Sequence, residues 1–571
     1  MTTIADKLRP GMRDFGARLL QEATASHARA LGLLLVVSLV CFLPGFFNTP
    51  PVDRDEARFA QATKQMIESG DYIDIRFQDE VRYKKPVGIY WLQAAVVRGA
   101  EALGVSDART SIWLYRIPSL LGAVGAVLLT YWAALAFASR RAAYLAGLML
   151  ACSILLGVEA RLAKTDAMLL ATIVAAMGVL GRIYLGHARR DADAKLGWTM
   201  PTIFWTALAA GVLLKGPLIL LIAGLTVATL ALVDRSVTWL RHLRPLPGLV
   251  WFAVLVLPWF IAIIGRTGES FFVQSIGGDL WSKVMGGQEG HGAPPLTYLL
   301  LFWLTFWPAA PLAALAAAGV WRNRAEPMTR FLLAWVVPAW VVFELVPTKL
   351  PHYVLPLYPA LAILIGRAIE LKLLSRDRRI VRITLHWPIV ATALSIAGIV
   401  GMIMLRRQPG LLAWPFAAAS MIFGFFAYRL FTEDGASRSM LRAAVSAQFV
   451  LIAVFGAVLP LLRPLFPSAA VADAINPPCD RPLYAAAGYH EPSLVFLLGT
   501  ATLLTDGRGA ADFLLQGSCR FAIVETTHER SFVQRAEAIG LRYAPGARID
   551  GINYNGGSAI TLAVYRSEAR P

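Results

Sequence analysis

The chain has 571 residues, of which 57% are hydrophobic and only 16% charged, with a mean hydropathy of +0.57. Soluble domains carry about a quarter charged residues, so a water-soluble fold is excluded. The 54 Lys and Arg against 37 Asp and Glu leave a net charge of +17, and where those charges fall decides whether they mean nucleic acid or membrane.

A basic leader, 1–30, carries Lys7, Arg9, Arg13, Arg18 and Arg29 ahead of the first apolar run at 31–47. No small-x-small cleavage site follows that run, so the leader reads as a cytoplasmic amphipathic segment, not a cleaved signal. Next comes a charged insert, 48–110, in which 87–103 reads as a helix lying on or dipping into the outer membrane surface. Apolar runs then recur at 112–137, 142–158, 167–184, 202–214, 218–233, 249–264, 296–320, 331–346, 354–369, 383–405, 411–428 and 443–462. Counted with the first, these are about thirteen spans.

Alternate connections are basic: Arg140-Arg141, Arg189-Arg190 with Lys195, then Arg235, Arg241 and Arg244. The series continues through Arg322, Arg324 and Arg330, the stretch from Lys372 to Arg382, and Arg429, Arg438 and Arg442, with Arg406-Arg407 as the exception on the opposite side. That is the positive-inside pattern. The basic excess is therefore topology with some contact to anionic lipid, and no nucleic-acid partner is expected.

An odd number of spans leaves 463–571 outside. This tail has β-like runs at 494–498, 521–524 and 559–565 and a turn signal at Asn555-Gly556-Gly557, so a small external α/β domain is expected. The fold class is an α-helical polytopic membrane protein: a transmembrane unit, 31–462, with 48–110 as its external catalytic insert, and the α/β domain at 463–571. Cys41 and Cys152 fall in spans, where buried thiols are ordinary. Cys479 and Cys519 share the external tail; in an oxidising space they could pair, and the sequence leaves both states open.

Charged groups from distant parts of the chain fall on the external side: Asp55, Lys85, Glu159, Arg161, Lys164, Asp166, Lys215, His291, Lys349 and His352. Charge beside hydrocarbon costs several kcal/mol unless paired, so convergence in one polar cavity is expected. From Asp53 to Ser69, apolar Phe59, Ala62, Met66 and Ile67 share a helical face, and Gly70 suits the stop. Asp53 and Glu56 read as N-cap and reciprocal cap; Asp55 and Arg58, three apart, would otherwise form an intrahelical pair. Lys85-Pro86 precedes an apolar helix, Lys215-Gly216-Pro217 breaks two apolar runs, and Lys349-Leu350-Pro351-His352-Tyr353 is a polar, aromatic turn. Lysines, an arginine and carboxylates on one face suit departure of a lipid phosphate, whose growing charge needs cations. A carboxylate could orient or deprotonate the attacking group.

In order along the chain, Arg54-Asp55-Glu56-Ala57-Arg58-Phe59-Ala60, Glu68-Ser69-Gly70-Asp71, Lys85-Pro86 and Tyr90-Trp91 resemble the opening of the lipid A aminoarabinose transferases. Leu162-Ala163-Lys164-Thr165-Asp166, Lys215-Gly216-Pro217, Leu257-Pro258-Trp259 and Lys349-Leu350-Pro351-His352-Tyr353 continue the resemblance. These enzymes are of the ArnT type within the GT-C superfamily, which also includes protein O-mannosyltransferases.

The resemblance implies inverting transfer of a sugar from undecaprenyl phosphate to a lipid or glycan acceptor at the periplasmic face of the bacterial inner membrane. It implies Asp55 and Asp166 as the essential, catalytic pair, Lys85 at the donor phosphate, and Arg58, Lys215 and Tyr353 as other cavity residues; on their charge, Arg58 and Lys215 are expected to join Lys85 at that phosphate. Lys84, Arg161, Lys164, Lys349, His352 and Tyr353 would line the substrate cavity. His291 stands at the family's zinc-binding histidine, but Lys84 replaces the partnering glutamate, and an ammonium has no lone pair for a metal. Zinc is therefore doubtful unless Asp79 or Glu80 substitutes. A protein O-glycosyltransferase is the alternative within the class. A lipid-sugar flippase is the alternative outside it, and would place functional charge inside spans and on both faces.

Overall fold

The computed structural model describes residues 17–188, 197–268, 271, 273, 292–406, 410–475, 477, 479, 481–553 and 556–568. Lys7, Arg9, Arg13, Arg189-Arg190, Lys195, His291, Arg407 and Asn555 lie outside the described residues.

Among the described residues, eight helices are long and apolar enough to cross a bilayer alone: Ile112–Ala134, Asp166–Ala188, Pro245–Thr267, Pro327–Leu345, Pro351–Glu370, Arg378–Arg406, Leu411–Arg429 and Ala436–Leu461. The five other expected runs are short or broken. Ala17–Ala23 and His27–Phe42 meet at a bend of 112°, and Thr199–Lys215 and Leu218–Asp234 are shorter helices. The run at 142–158 divides into Arg140–Ala151 and Ile154–Glu159, and that at 296–320 into Thr297–Thr305 and Ala310–Arg322. Both breaks have local causes. Ser153 turns its hydroxyl back onto the Leu150 carbonyl at 2.8 Å, and Pro308, between the second pair, has no N–H to continue a helix.

Burial separates centre from rim. The apolar windows of Ile112–Ala134 and Asp166–Ala188 are 61% and 72% buried, against 22% and 17% for Pro245–Thr267 and Arg378–Arg406. The first two are the core, and the last two leave their apolar sides to lipid. Cys41 and Cys152 lie in this core as free thiols.

Two ends of the bundle differ. One gathers the starts of Asp55–Ser69 and Asp166–Ala188 and the end of Thr199–Lys215. The other holds compact ion pairs, Arg330 with Asp234, Arg367 with Glu326 and Arg442 with Asp434.

The insert folds as the helix Asp55–Ser69, a short antiparallel hairpin of β1 (Arg76–Phe77) and β2 (Glu80–Val81), and the helix Gly88–Ala102. Asp55–Ser69 buries Phe59, Ala62, Met66 and Ile67, and Gly70 caps its end, as the spacing predicts. A Cβ at Gly88 would stand 2.7 Å from the Leu213 carbonyl oxygen. Only glycine lets the start of Gly88–Ala102 meet the end of Thr199–Lys215 this closely.

The tail forms β3 (Leu483–Ala487), β4 (Leu503–Thr505), β5 (Arg520–Glu525), β6 (Tyr543–Asn553) and β7 (Ser558–Ser567) in the order β4-β3-β5-β7-β6. β3 runs parallel to β4 and β5, while β7 is antiparallel to β5 and β6. Helices Gly507–Leu515 and Thr526–Ala538 cover one face through Leu514 and Phe532. The expected strands at 521–524 and 559–565 lie inside β5 and β7. The expected strand at 494–498 is instead part of the helix Pro492–Leu498: five apolar residues cannot separate strand from buried helix, and Pro492 sits where a helix accepts proline. Cys479 and Cys519 are disulfide-bonded, with Cα atoms 6.3 Å apart.

This domain is docked on the insert. Lys64 Nζ donates to the Phe496 carbonyl at 2.9 Å, Gln61 Nε2 to Thr500 Oγ1 at 2.8 Å, and Gln78 Nε2 to the Thr502 carbonyl at 2.6 Å. The Phe496 ring meets Tyr115 edge-on at 5.3 Å.

Candidate active site

The described residues enclose a cavity of about 390 Å³ at the insert end of the bundle, within the usual range of small-molecule sites, about 300–1,000 Å³. Its wall brings together Asp55, Arg58, Lys84, Lys85, Lys164, Asp166, Lys215, His352 and Tyr353. They come from the insert, the turn before Asp166–Ala188 and that helix's first residue, the end of Thr199–Lys215, and the first turn of Pro351–Glu370.

Asp166 opens its helix and is 6% exposed. Its carboxylate accepts from Lys215 Nζ and lies 3.9 Å from Lys164 Nζ and 3.7 Å from His352 Nε2. Lys164 Nζ also donates to Glu159 Oε1 at 3.3 Å. Burial works against the charge on Lys164, but Glu159, Asp166 and Asp55 together outweigh it and raise its pKa. Lys215 lies over the Tyr353 ring at 5.4 Å, and Gly216, at φ 71°, lets the chain reverse directly after it. Asp55 is different: among the described residues no salt bridge within 4.0 Å joins it to Arg58 or any other cation.

Four expectations are corrected by the contacts. Asp53 does not cap its helix, which starts without a side-chain cap. Its carboxylate accepts from the Ser493 amide at 2.8 Å and the Ser493 hydroxyl at 2.5 Å, because the docked domain supplies better-placed donors. Burial pushes the Asp53 carboxyl up from 3.8 to about 7, while the two Ser493 hydrogen bonds pull the other way. Glu56 does more than cap. It accepts from Arg116 Nε and Nη2, both at 2.8 Å, from the Val52 amide at 2.9 Å and from the Ala163 amide at 2.8 Å.

Arg161 is off the cavity wall. It donates to the carbonyls of Cys41, Gly157 and Pro44 and lies 4.3 Å from the Phe455 ring centroid. Its length carries the guanidinium into the bundle, where carbonyls at helix ends accept it. Lys349 is also off the wall, donating to the Glu344 and Val346 carbonyls at 2.8 and 2.6 Å, which satisfies the end of Pro327–Leu345.

Sequence reasoning missed Arg54 and Arg82 on the wall. Arg82 opens the basic run Arg82-Tyr83-Lys84-Lys85, which was the available signal. Lys84 lines the cavity as a cation and cannot ligate a metal, while Asp79 and Glu80 are not among the wall residues. His291 lies outside the described residues. Lys84 therefore does not fit a zinc site.

The fold and this cavity together define a class: a multi-span membrane protein with a charged cavity at one end of its helical bundle. Residues 33–267 match the sequence family described as dolichyl-phosphate-mannose-protein mannosyltransferase. The chain is 27% identical over 358 residues to a protein of Pseudomonas paraeruginosa named undecaprenyl phosphate-alpha-4-amino-4-deoxy-L-arabinose arabinosyl transferase. That alignment spans 60% of this chain and 60% of the relative. The crystal structure of ArnT from Cupriavidus metallidurans in the apo state superposes with a TM-score of 0.72 at 20% identity, covering 94% of this chain and 98% of that one. The same protein bound to undecaprenyl phosphate gives 0.67 at 20% identity, covering 93% and 97%. Within its class, the chain is ArnT-like.

Proposed function

We propose that this chain is a glycosyltransferase that moves a sugar from an undecaprenyl-phosphate carrier to lipid A or a related glycolipid at the periplasmic face of the bacterial inner membrane. The observation that carries this reading is the convergence of Asp55, Asp166, Lys85, Arg58 and Lys215 on one cavity at the membrane-surface end of the bundle. The basic connections support a cytoplasmic opposite end. Residues 31–462 act as the transferase unit and 463–571 as its periplasmic domain.

Chemically, an acceptor oxygen attacks the anomeric carbon from the face opposite the phosphate. The bond between that carbon and the phosphate oxygen breaks, and the electron pair leaves with the polyprenyl phosphate. Lys85 and Arg58 stabilise the charge that develops there, with Lys215 held beside them by Asp166. Asp55 takes the acceptor proton if the acceptor is a hydroxyl, and only orients it if the acceptor is already a phosphate oxyanion.

The test is transfer of radiolabelled sugar from undecaprenyl phosphate by the purified full chain in detergent or vesicles, offered lipid A, a protein acceptor, or neither. Label reaching lipid A in an Asp55-dependent manner is the expected result. Label on protein would transfer the reading to the O-glycosyltransferases; carrier crossing the vesicle membrane intact, with no transfer, would sink it in favour of a flippase.

A further inference from the structure

A polyprenyl-phosphate sugar is a phosphodiester with one negative charge, yet the cavity wall offers more cationic groups than that charge needs. Several are already paired within the protein: Arg54 with Glu491 at 3.4 Å, Lys164 with Glu159 at 3.3 Å, and Lys215 with Asp166. Arg82 is not. It lines the cavity, is 9% exposed, and its Nε is buried with no hydrogen-bond partner. No salt bridge within 4.0 Å joins it to a carboxylate among the described residues.

Arginine cannot discharge itself by losing a proton, so a buried guanidinium in this state calls for an anion. Its position is fixed from both sides. The guanidinium carbon lies 5.2 Å from the Phe59 ring centroid, and the Arg82 amide donates to the Ile75 carbonyl at 2.8 Å. The buried Tyr90 Oη lies beside the Arg82 guanidinium, a neutral neighbour that does not answer its charge. Of the wall carboxylates, Glu56 is engaged by Arg116, Asp53 by Ser493 and Asp166 by Lys215, and no salt bridge within 4.0 Å joins Asp55 to Arg82 among the described residues.

We infer that the cavity contains a second anion subsite, with Arg82 as its principal charge and Lys84 beside it on the wall, distinct from the position of the donor phosphodiester. Its ligand is an oxyanion: a carboxylate on the transferred sugar or a phosphate on the acceptor. The naming of these two sources rests on the transferase reading; the subsite itself rests on Arg82. A cationic amino sugar is the poorest fit to such a wall.

The experiment measures equilibrium binding to the purified full chain for two matched pairs. One is undecaprenyl phosphate carrying a hexuronate against the corresponding hexose; the other is a phosphorylated acceptor lipid against its dephosphorylated form. In at least one pair the charged member is expected to bind about tenfold more tightly, the scale of one charge-assisted hydrogen bond. That ratio is expected to fall close to one in Arg82→Gln and to persist in part in Arg82→Lys, which guards against a folding defect. Preference for the uronate assigns the subsite to the sugar, and preference for the phosphate assigns it to the acceptor. Equal affinities within both pairs, or a preference untouched in Arg82→Gln, overturns the subsite. The readout is binding, so a chain that transfers nothing would end the transferase reading while leaving this preference measurable.

Discussion

Asp55 and Glu56 are adjacent carboxylates on the same helical turn, yet they sit in opposite worlds. Both touch the cavity wall, but successive residues on a helix point about 100° apart, and here that rotation turns one carboxylate towards the cavity and the other into a set of buried donors. Glu56 is 1% exposed and saturated by Arg116 and two backbone amides. Arg116 in turn donates to the Phe46, Thr49 and Pro50 carbonyls. Asp55 faces the cavity with its charge acting on Lys164 from outside hydrogen-bonding range. One carboxylate is used up in holding Ile112–Ala134, the insert and the turn at Ala163 together. The other is left for a ligand. The catalytic role proposed for Asp55 thus falls one residue away from a carboxylate whose acceptors the fold satisfies completely.

This contrast can be broken from either side. Asp55→Asn is expected to lower transfer about 10²–10⁴-fold with the thermal melting temperature unchanged; a melting shift with intact transfer would reverse the two roles. Glu56→Ala strands a buried guanidinium and should cost about 3–5 kcal/mol of stability, read as a lower melting temperature in detergent. Replacing both partners, Glu56→Met with Arg116→Leu, should cost less than the single change. Lys85→Ala should weaken donor-lipid binding about 10–100-fold, as expected for loss of a charge-assisted hydrogen bond, without the melting loss of Glu56→Ala.

The smallest effect is one of pH, at Asp53. Its carboxyl is raised from 3.8 to about 7 chiefly by burial against the α/β domain, so the docked state keeps a proton that the undocked state releases. Docking is then strongest below pH 3.8, weakens as pH climbs towards about 7, and is level above that. Hydrogen exchange at the Ser493 amide, corrected for its intrinsic pH dependence, should show protection falling over that window, and Asp53→Asn should flatten it.

The long apolar helices, the insert helix ending at Gly70 and the meeting of Lys85, Asp166 and Lys215 were legible in the sequence because hydropathy marks where apolar runs end and charged groups must gather. Arg161 and Lys349 also fall at the ends of apolar runs but are off the cavity wall. Which way a long side chain reaches depends on nearby carbonyls, and no periodicity encodes those. Asp53 and Glu56 were read as local caps because their partners, Ser493 and Arg116, are 440 and 60 residues away. The helix at Pro492–Leu498 was read as a strand because its length is ambiguous and because it is buried on two sides, Leu494 in the α/β domain and Phe496 against the insert.

The docking of the α/β domain has a consequence for how the protein is made. The outer side of Asp55–Ser69 is completed by Ser493, Phe496 and Thr500, and the hydrogen bonds that do this span 432 to 440 positions of sequence. A ribosome delivers the insert among its first hundred residues and the groups that cover it only in the last fifth of the chain. Until then Lys64 and Gln61 lack the partners that Phe496 and Thr500 give them, although every residue of the cavity wall, the last being Tyr353, has already been made. Closure over such a separation is slow but entropically only slightly dearer than over a shorter one.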